Sequence, residues 1–150
     1  VALSASEILD RALMLSEEMS GSIERAAANY GLTVPRLELL FVLGLQGQCK
    51  QVELAAYLDC SPRQVTALVD GLEASGHVER TMSPEDRRVR LIDLTVESRR
   101  IVDEVVSARV ALAEWLFEGL DDDELQTFGA MSERLISRMS GRSLVRLPEQ

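Results

Sequence analysis

Three arginines, Arg87, Arg88 and Arg90, fall within four positions of the stretch SPEDRRVRLIDLT, directly after Pro84, Glu85 and Asp86. Guanidinium groups are planar, permanently charged donors, and a cluster of them concentrates a positive potential suited to phosphate or to a narrow nucleic-acid groove. Asp86, set among them, is suited to shaping the loop by accepting hydrogen bonds, because an exposed carboxylate repels phosphate. A second set of residues lies upstream, where SPRQVTALVD follows LAAYLDC. With helical spacing, Ser61, Arg63, Gln64, Thr66, Ala67 and Asp70 project away from the side that carries Val65, Leu68 and Val69. Arginine matches guanine, glutamine matches adenine, and threonine or alanine touches a thymine methyl.

Other chemistries have little to work with. His77 is the only histidine, and the chain has no glycine-rich phosphate loop, no nucleophile paired with a base and no metal-ligand cluster. Enzymatic activity, a metal and a cofactor are therefore not expected. Cys49 and Cys60 signal neither a disulfide framework nor a zinc site. The net charge of -9 argues against phosphate binding until its distribution is considered. Residues 61–90 carry five bases against five acids, whereas 1–35 carry two against five and 91–150 seven against twelve. The two basic sets thus sit in the least acidic part. No apolar run approaches the roughly 20 residues of a membrane span, and VALSASEILD lacks the basic start and apolar core of a secretion signal, so no membrane and a cytoplasmic location are expected.

The elements that must position these residues are legible from periodicity. Apolar residues from Ile8 to Ala27 recur near a 3.6-residue period, predicting a long helix over Ser4 to Asn29 that Gly31 ends. A second helix starts at Thr33 and Pro35 and runs to about Leu45, with Gly44 and Gly47 at its fraying end. KQVELAAYL predicts a short third helix, and Ser61 followed by Pro62 starts a fourth that Gly76 stops. The period then changes to two: HVERTM and VRLIDLT read as strands joined by the charged loop SPEDRR. Thr95 caps another long helix, Asp121 and Glu124 have capping-box spacing for a last one reaching Met139, and the tail GRSLVRLPEQ reads as irregular.

Only about three residues separate the third and fourth helices, which is helix-turn-helix spacing, and Asp59 stands at the turn position where glycine is common. A helix-turn-helix followed directly by a two-stranded hairpin is a winged helix. The fold class expected is therefore mainly α with a small β-hairpin, with long helices at both termini. The ordered set LAAYLDCSPRQVTALVDGLEASGHVERTMSPEDRRVRLIDLT resembles the MarR-type (multiple antibiotic resistance regulator) winged-helix transcription factors over almost the whole chain. Its most specific part is Asp86, Arg87 and Arg88 followed by Leu94 and Thr95, although VESRR departs from the acidic residue and glycine usual in the family.

The resemblance implies one domain over 1–150, with a DNA-binding lobe at about 36–95 and dimerisation helices at about 4–30 and 96–140. It also implies that Arg88 enters a minor groove while Asp86 braces the wing, and that a homodimer binds double-stranded DNA at an inverted repeat, more often as a repressor. A small aromatic or apolar anionic effector is a further implication, for which Tyr30, Phe41, Trp115 and Phe117 are the candidate walls. Two alternatives remain open. One is thiol-based redox sensing, for which Cys49, read as a loop residue, is better placed than Cys60 at an apolar helix-turn-helix position. The other is a winged-helix module for protein contacts that does not bind DNA.

Overall fold

Capping chemistry sets where the helices begin. In the computed structural model, which describes residues 2–86 and 88–139, Ser4 and Glu7 cap each other reciprocally to open α1 (Ala5–Asn29). Accepting from the Ser4 amide and hydroxyl holds the Glu7 carboxyl below the ordinary carboxylate range. Thr33 precedes α2 (Val34–Gln46), whose Pro35 lies in the first turn, where its missing amide hydrogen leaves no bond unmade. A two-residue strand, β1 (Cys49–Lys50), leads into α3 (Gln51–Tyr57) and then α4 (Pro62–Ala74). The hairpin strands are β2 (Val78–Met82) and β3 (Arg90–Leu94), followed by α5 (Val96–Leu116) and α6 (Asp122–Met139). Asp121 and Glu124 begin α6 with the same reciprocal cap.

The sheet is antiparallel with order β1-β3-β2. Val78 pairs with Leu94 and Arg80 with Ile92, while Cys49 meets Ile92 from the other edge. β1 is an addition to the sequence reading: two residues are too few to show any alternation, and only pairing with β3 defines them.

The core lies between the short helices and this sheet. Leu39, Leu40 and Leu43 from α2, Leu54 from α3, Val65, Val69 and Leu72 from α4, and Val78 and Ile92 from the sheet are all buried. Ile101 and Val102 close it from α5. Gly44 has a packing role beyond the fraying expected of it. A side chain there would place Cβ 2.6 Å from Cγ1 of Val102, so α2 and α5 cross closely only because residue 44 has none.

The chain divides into two compact units, Val1–Ser107 and Ala108–Gln150. The first contains all the buried apolar residues just named. Its α1 nevertheless buries only Ala27 and leaves Ile8, Leu9, Leu13, Met14, Met19 and Ile23 exposed. In the second, the rings of Phe117 and Phe128 lie 5.8 Å apart, and α6 has no buried residue. Among the described residues no helix is long and apolar enough to cross a membrane. The architecture is a winged helix with long helices before and after it in the chain. The tail GRSLVRLPEQ lies outside the described residues.

Candidate nucleic-acid interface

The turn between α3 and α4 depends on one unusual backbone conformation. Asp59 has φ 49°, in the left-handed region that few residues other than glycine adopt and that aspartate tolerates. This lets the Cys60 amide reach back to the Ala55 carbonyl at 3.1 Å and reverses the chain. Ala55 and Leu54 are buried at the crossing, and Val65, Val69 and Leu72 seat α4 on the core, with Leu58 and Leu68 partly buried beside them.

The outward side of α4 is more occupied than its sequence suggests. Ser61 donates to the Gln64 side-chain oxygen from both its amide (3.0 Å) and its hydroxyl (2.7 Å), and the Gln64 amide donates back to the Ser61 hydroxyl. Both residues therefore hold the helix start, leaving the Gln64 side-chain NH2 as a donor. The Thr66 hydroxyl donates to the Pro62 carbonyl at 2.8 Å and accepts from the Gln51 side chain at 2.5 Å, which ties α3 to α4. Asp70 accepts from Arg80 of β2 at 2.5 Å, and the same guanidinium is paired with Glu73. Arg63 and Ala67 are exposed, and Arg63 has no ion pair among the described residues.

The wing is held from its own backbone. The Asp86 carboxylate accepts from the Arg88 amide at 2.9 Å, its carbonyl accepts from the Val89 amide at 2.9 Å, and the Ser83 amide donates to the Val89 carbonyl at 3.0 Å. Arg88 and Arg90 are exposed at and after this turn, and neither is ion-paired among the described residues. Arg87 lies outside the described residues. At the base, the Thr95 hydroxyl is 3.0 Å from the Gly76 carbonyl and accepts from the Ser98 amide at 3.3 Å, while its own amide donates to the His77 carbonyl at 3.2 Å. One residue thus starts α5 and fastens it to the turn that ends α4.

Of the aromatic residues considered as effector walls, Tyr30 and Phe41 belong to the first unit and Trp115 and Phe117 to the second. The Tyr30 hydroxyl donates to Glu104 at 2.8 Å, and that bond pushes its pKa up. Trp115 is exposed.

The cysteine environments are the reverse of those read from the sequence. Cys49 stands in β1 rather than in a loop and is 4% exposed, whereas Cys60 is only half-buried. Burial, with Glu53 and Asp93 adding to it, raises the Cys49 thiol pKa and disfavours the reactive thiolate. The structure runs against Cys49 as an exposed redox thiol.

The MarR family pattern matches residues 32–89. The uncharacterized helix-turn-helix-type transcriptional regulator YsmB of Bacillus subtilis (strain 168) is 36% identical over 101 residues, covering 66% of this chain and 68% of YsmB. The chain belongs to the MarR family. A second relative, the helix-turn-helix-type transcriptional repressor MdtR of the same bacterium, is 31% identical over 111 residues, covering 74% of this chain and 69% of its own. The fold is shared with Streptococcus pneumoniae FabT, solved in complex with DNA, at a TM-score of 0.76 and 19% identity over 89% of this chain and 98% of FabT. This MarR-family protein is a DNA-binding transcriptional regulator and not an enzyme.

Sequence reasoning missed two residues of the regulator's candidate interface, Gln51 and Arg80. Gln51 lies on α3, fifteen positions before the threonine it holds. Arg80 carried a signal only in hindsight, as the one base of β2, the strand that follows the two acids of α4.

Proposed function

We propose that this regulator binds an inverted-repeat operator as a homodimer, represses transcription there, and is released by a small aromatic or apolar anion. The observation that carries the DNA-reading part is the combination, on one compact unit, of an exposed α4 start bearing Arg63 with a wing turn that presents Arg88. In this reading Arg63 and the free Gln64 amide meet base edges, with Ala67 available to a thymine methyl. Ser61 and Thr66 serve as structural bonds of α4, their single hydroxyl hydrogens given to the Gln64 side chain and the Pro62 carbonyl. Arg88, with Arg87 and Arg90, supplies affinity from the wing, and Asp86 fixes the turn.

Dimerisation is supported by the apolar residues left exposed on α1 and by Met131, Leu135 and Met139 exposed on α6. Stripes of this kind are commonly covered by a second copy. A two-fold dimer would set two α4 helices about one DNA turn apart, which is why the target is read as an inverted repeat. The relatives named as repressors favour that sign of regulation.

The test is fluorescence-anisotropy binding to a pool of genomic duplexes across a salt series, with chromatography to establish the oligomeric state. Retention of a few duplexes that share a two-fold motif, weakening steeply with salt, is the expected result. Failure to retain any duplex at low salt, or binding by a monomer to single half-sites, would contradict the proposal. Release of the bound duplex by salicylate-like anions tests the effector part separately.

A further inference from the structure

α4 has a charge problem for an element that approaches DNA. Between Pro62 and Ala74 it carries one base, Arg63, and two acids, Asp70 and Glu73. The acids are three positions apart and so share one side of the helix. Asp70 is 59% exposed, on the outward side. Left alone, the pair would make the exposed helix net negative beside a polyanion.

Arg80 answers both acids at once. It lies on β2 two positions after the buried Val78, so strand alternation sends its side chain to the same side of the sheet as Val78. Its Nη2 donates to Asp70 Oδ1 at 2.5 Å and its Nη1 to Glu73 Oε2. The forked guanidinium can serve two carboxylates with separate nitrogens, which a lysine ammonium cannot reproduce geometrically. With a side chain 26% exposed, Arg80 is more enclosed than either acid.

We propose that Arg80 is a positioning residue and internal counter-ion for DNA binding: paired with both Asp70 and Glu73, its single positive charge offsets the net -1 left on the recognition helix after Arg63 is counted, so that α4 docks without repelling the phosphate backbone. This rests on reading α4 as the recognition helix. Arg80 touches its two acids, not the DNA. Its effect on affinity therefore vanishes when the acids are gone, which separates it from Arg63 and Arg88.

The test uses a fluorescein-labelled duplex that the intact protein selects from a random-sequence pool. Affinity is measured across a salt series for the intact protein, Arg80→Ala, Arg80→Lys, Asp70→Asn/Glu73→Gln, and the triple variant combining Arg80→Ala with the two amides. Thermal unfolding is followed for each. Arg80→Ala is expected to bind roughly 10- to 100-fold more weakly, the scale of uncompensated like charges at an interface. The triple variant is expected to return to within about 3-fold of the intact protein, although it lacks the same ion pairs as Arg80→Ala. Arg80→Lys, keeping charge without the fork, is expected to fall between them.

A triple variant as weak as Arg80→Ala would overturn the counter-ion role. Unchanged affinity in Arg80→Ala would overturn it as well. If Arg80→Ala does not fold, the double amide variant decides: freeing Arg80 as an interface cation should strengthen binding and steepen the salt slope by about one, whereas weaker binding or altered base preference would show that Asp70 itself reads DNA and would sink the proposal. Failure of the recognition-helix reading is distinguishable, because Arg63→Ala would then leave the selected motif unchanged whatever Arg80 does.

Discussion

α4 and the wing hairpin both present polar side chains, but they use them differently. At α4, Ser61 and Gln64 hold the helix's own start, while Thr66 and Asp70 bond to α3 and β2. On the wing, Arg88 and Arg90 are exposed while the backbone and Asp86 make the structural bonds. The difference teaches that a polar residue on a recognition helix is not automatically a reader. Capping and base recognition favour the same residue types, so only geometry tells them apart.

The largest expected effect tests what the two regions share, which is the core beneath α4. Leu72→Ala, at a fully buried α4 position, should cost about 2–5 kcal/mol of stability, measured by urea unfolding, and a loss under 1 kcal/mol would mean that α4 is not seated as described. Next comes the wing. Arg88→Ala should cost about 1–3 kcal/mol of binding, uniformly across duplex sequences, and lower the salt slope by about one while leaving the urea midpoint in place. A change in preferred sequence instead would move Arg88 from affinity to base reading.

The α4 cap gives the opposite pattern. Ser61→Ala should lose about 1 kcal/mol of stability yet select the same duplexes as the intact protein. Altered selection at unchanged stability would erase the distinction between the two regions. The smallest effect is at the turn. Asp59→Gly is expected to be neutral or stabilising by up to about 1 kcal/mol, because glycine adopts φ 49° without strain. Clear destabilisation would mean that the aspartate side chain holds something the turn needs.

The long helices were legible because their apolar residues repeat over many turns, and the start of α4 was legible because Ser61 and Pro62 are strong local signals. The strands emerged from a change of period after Gly76. β1 was not legible, since Cys49 and Lys50 acquire strand geometry only by pairing with Ile92 and Leu91. That pairing also explains the inverted cysteines: it fixes Cys49 in the core, whereas Cys60 follows the left-handed Asp59 and stays half-buried. Arg80 was invisible for a related reason. Its partners lie ten and seven positions back across a turn, outside the i,i+3 and i,i+4 rules by which charge pairs are recognised in a sequence.

The central claim, that α4 reads sequence while the wing supplies affinity, is tested most directly by selecting duplexes from a random pool with the intact protein and with Arg63→Ala, and sequencing what each retains. The expected result is a two-fold motif for the intact protein and a relaxed preference at one position of each half-site for Arg63→Ala, with a cost of about 1–3 kcal/mol on the original motif. The same motif retained with the same affinity by both proteins would contradict the claim and remove α4 from the reading surface.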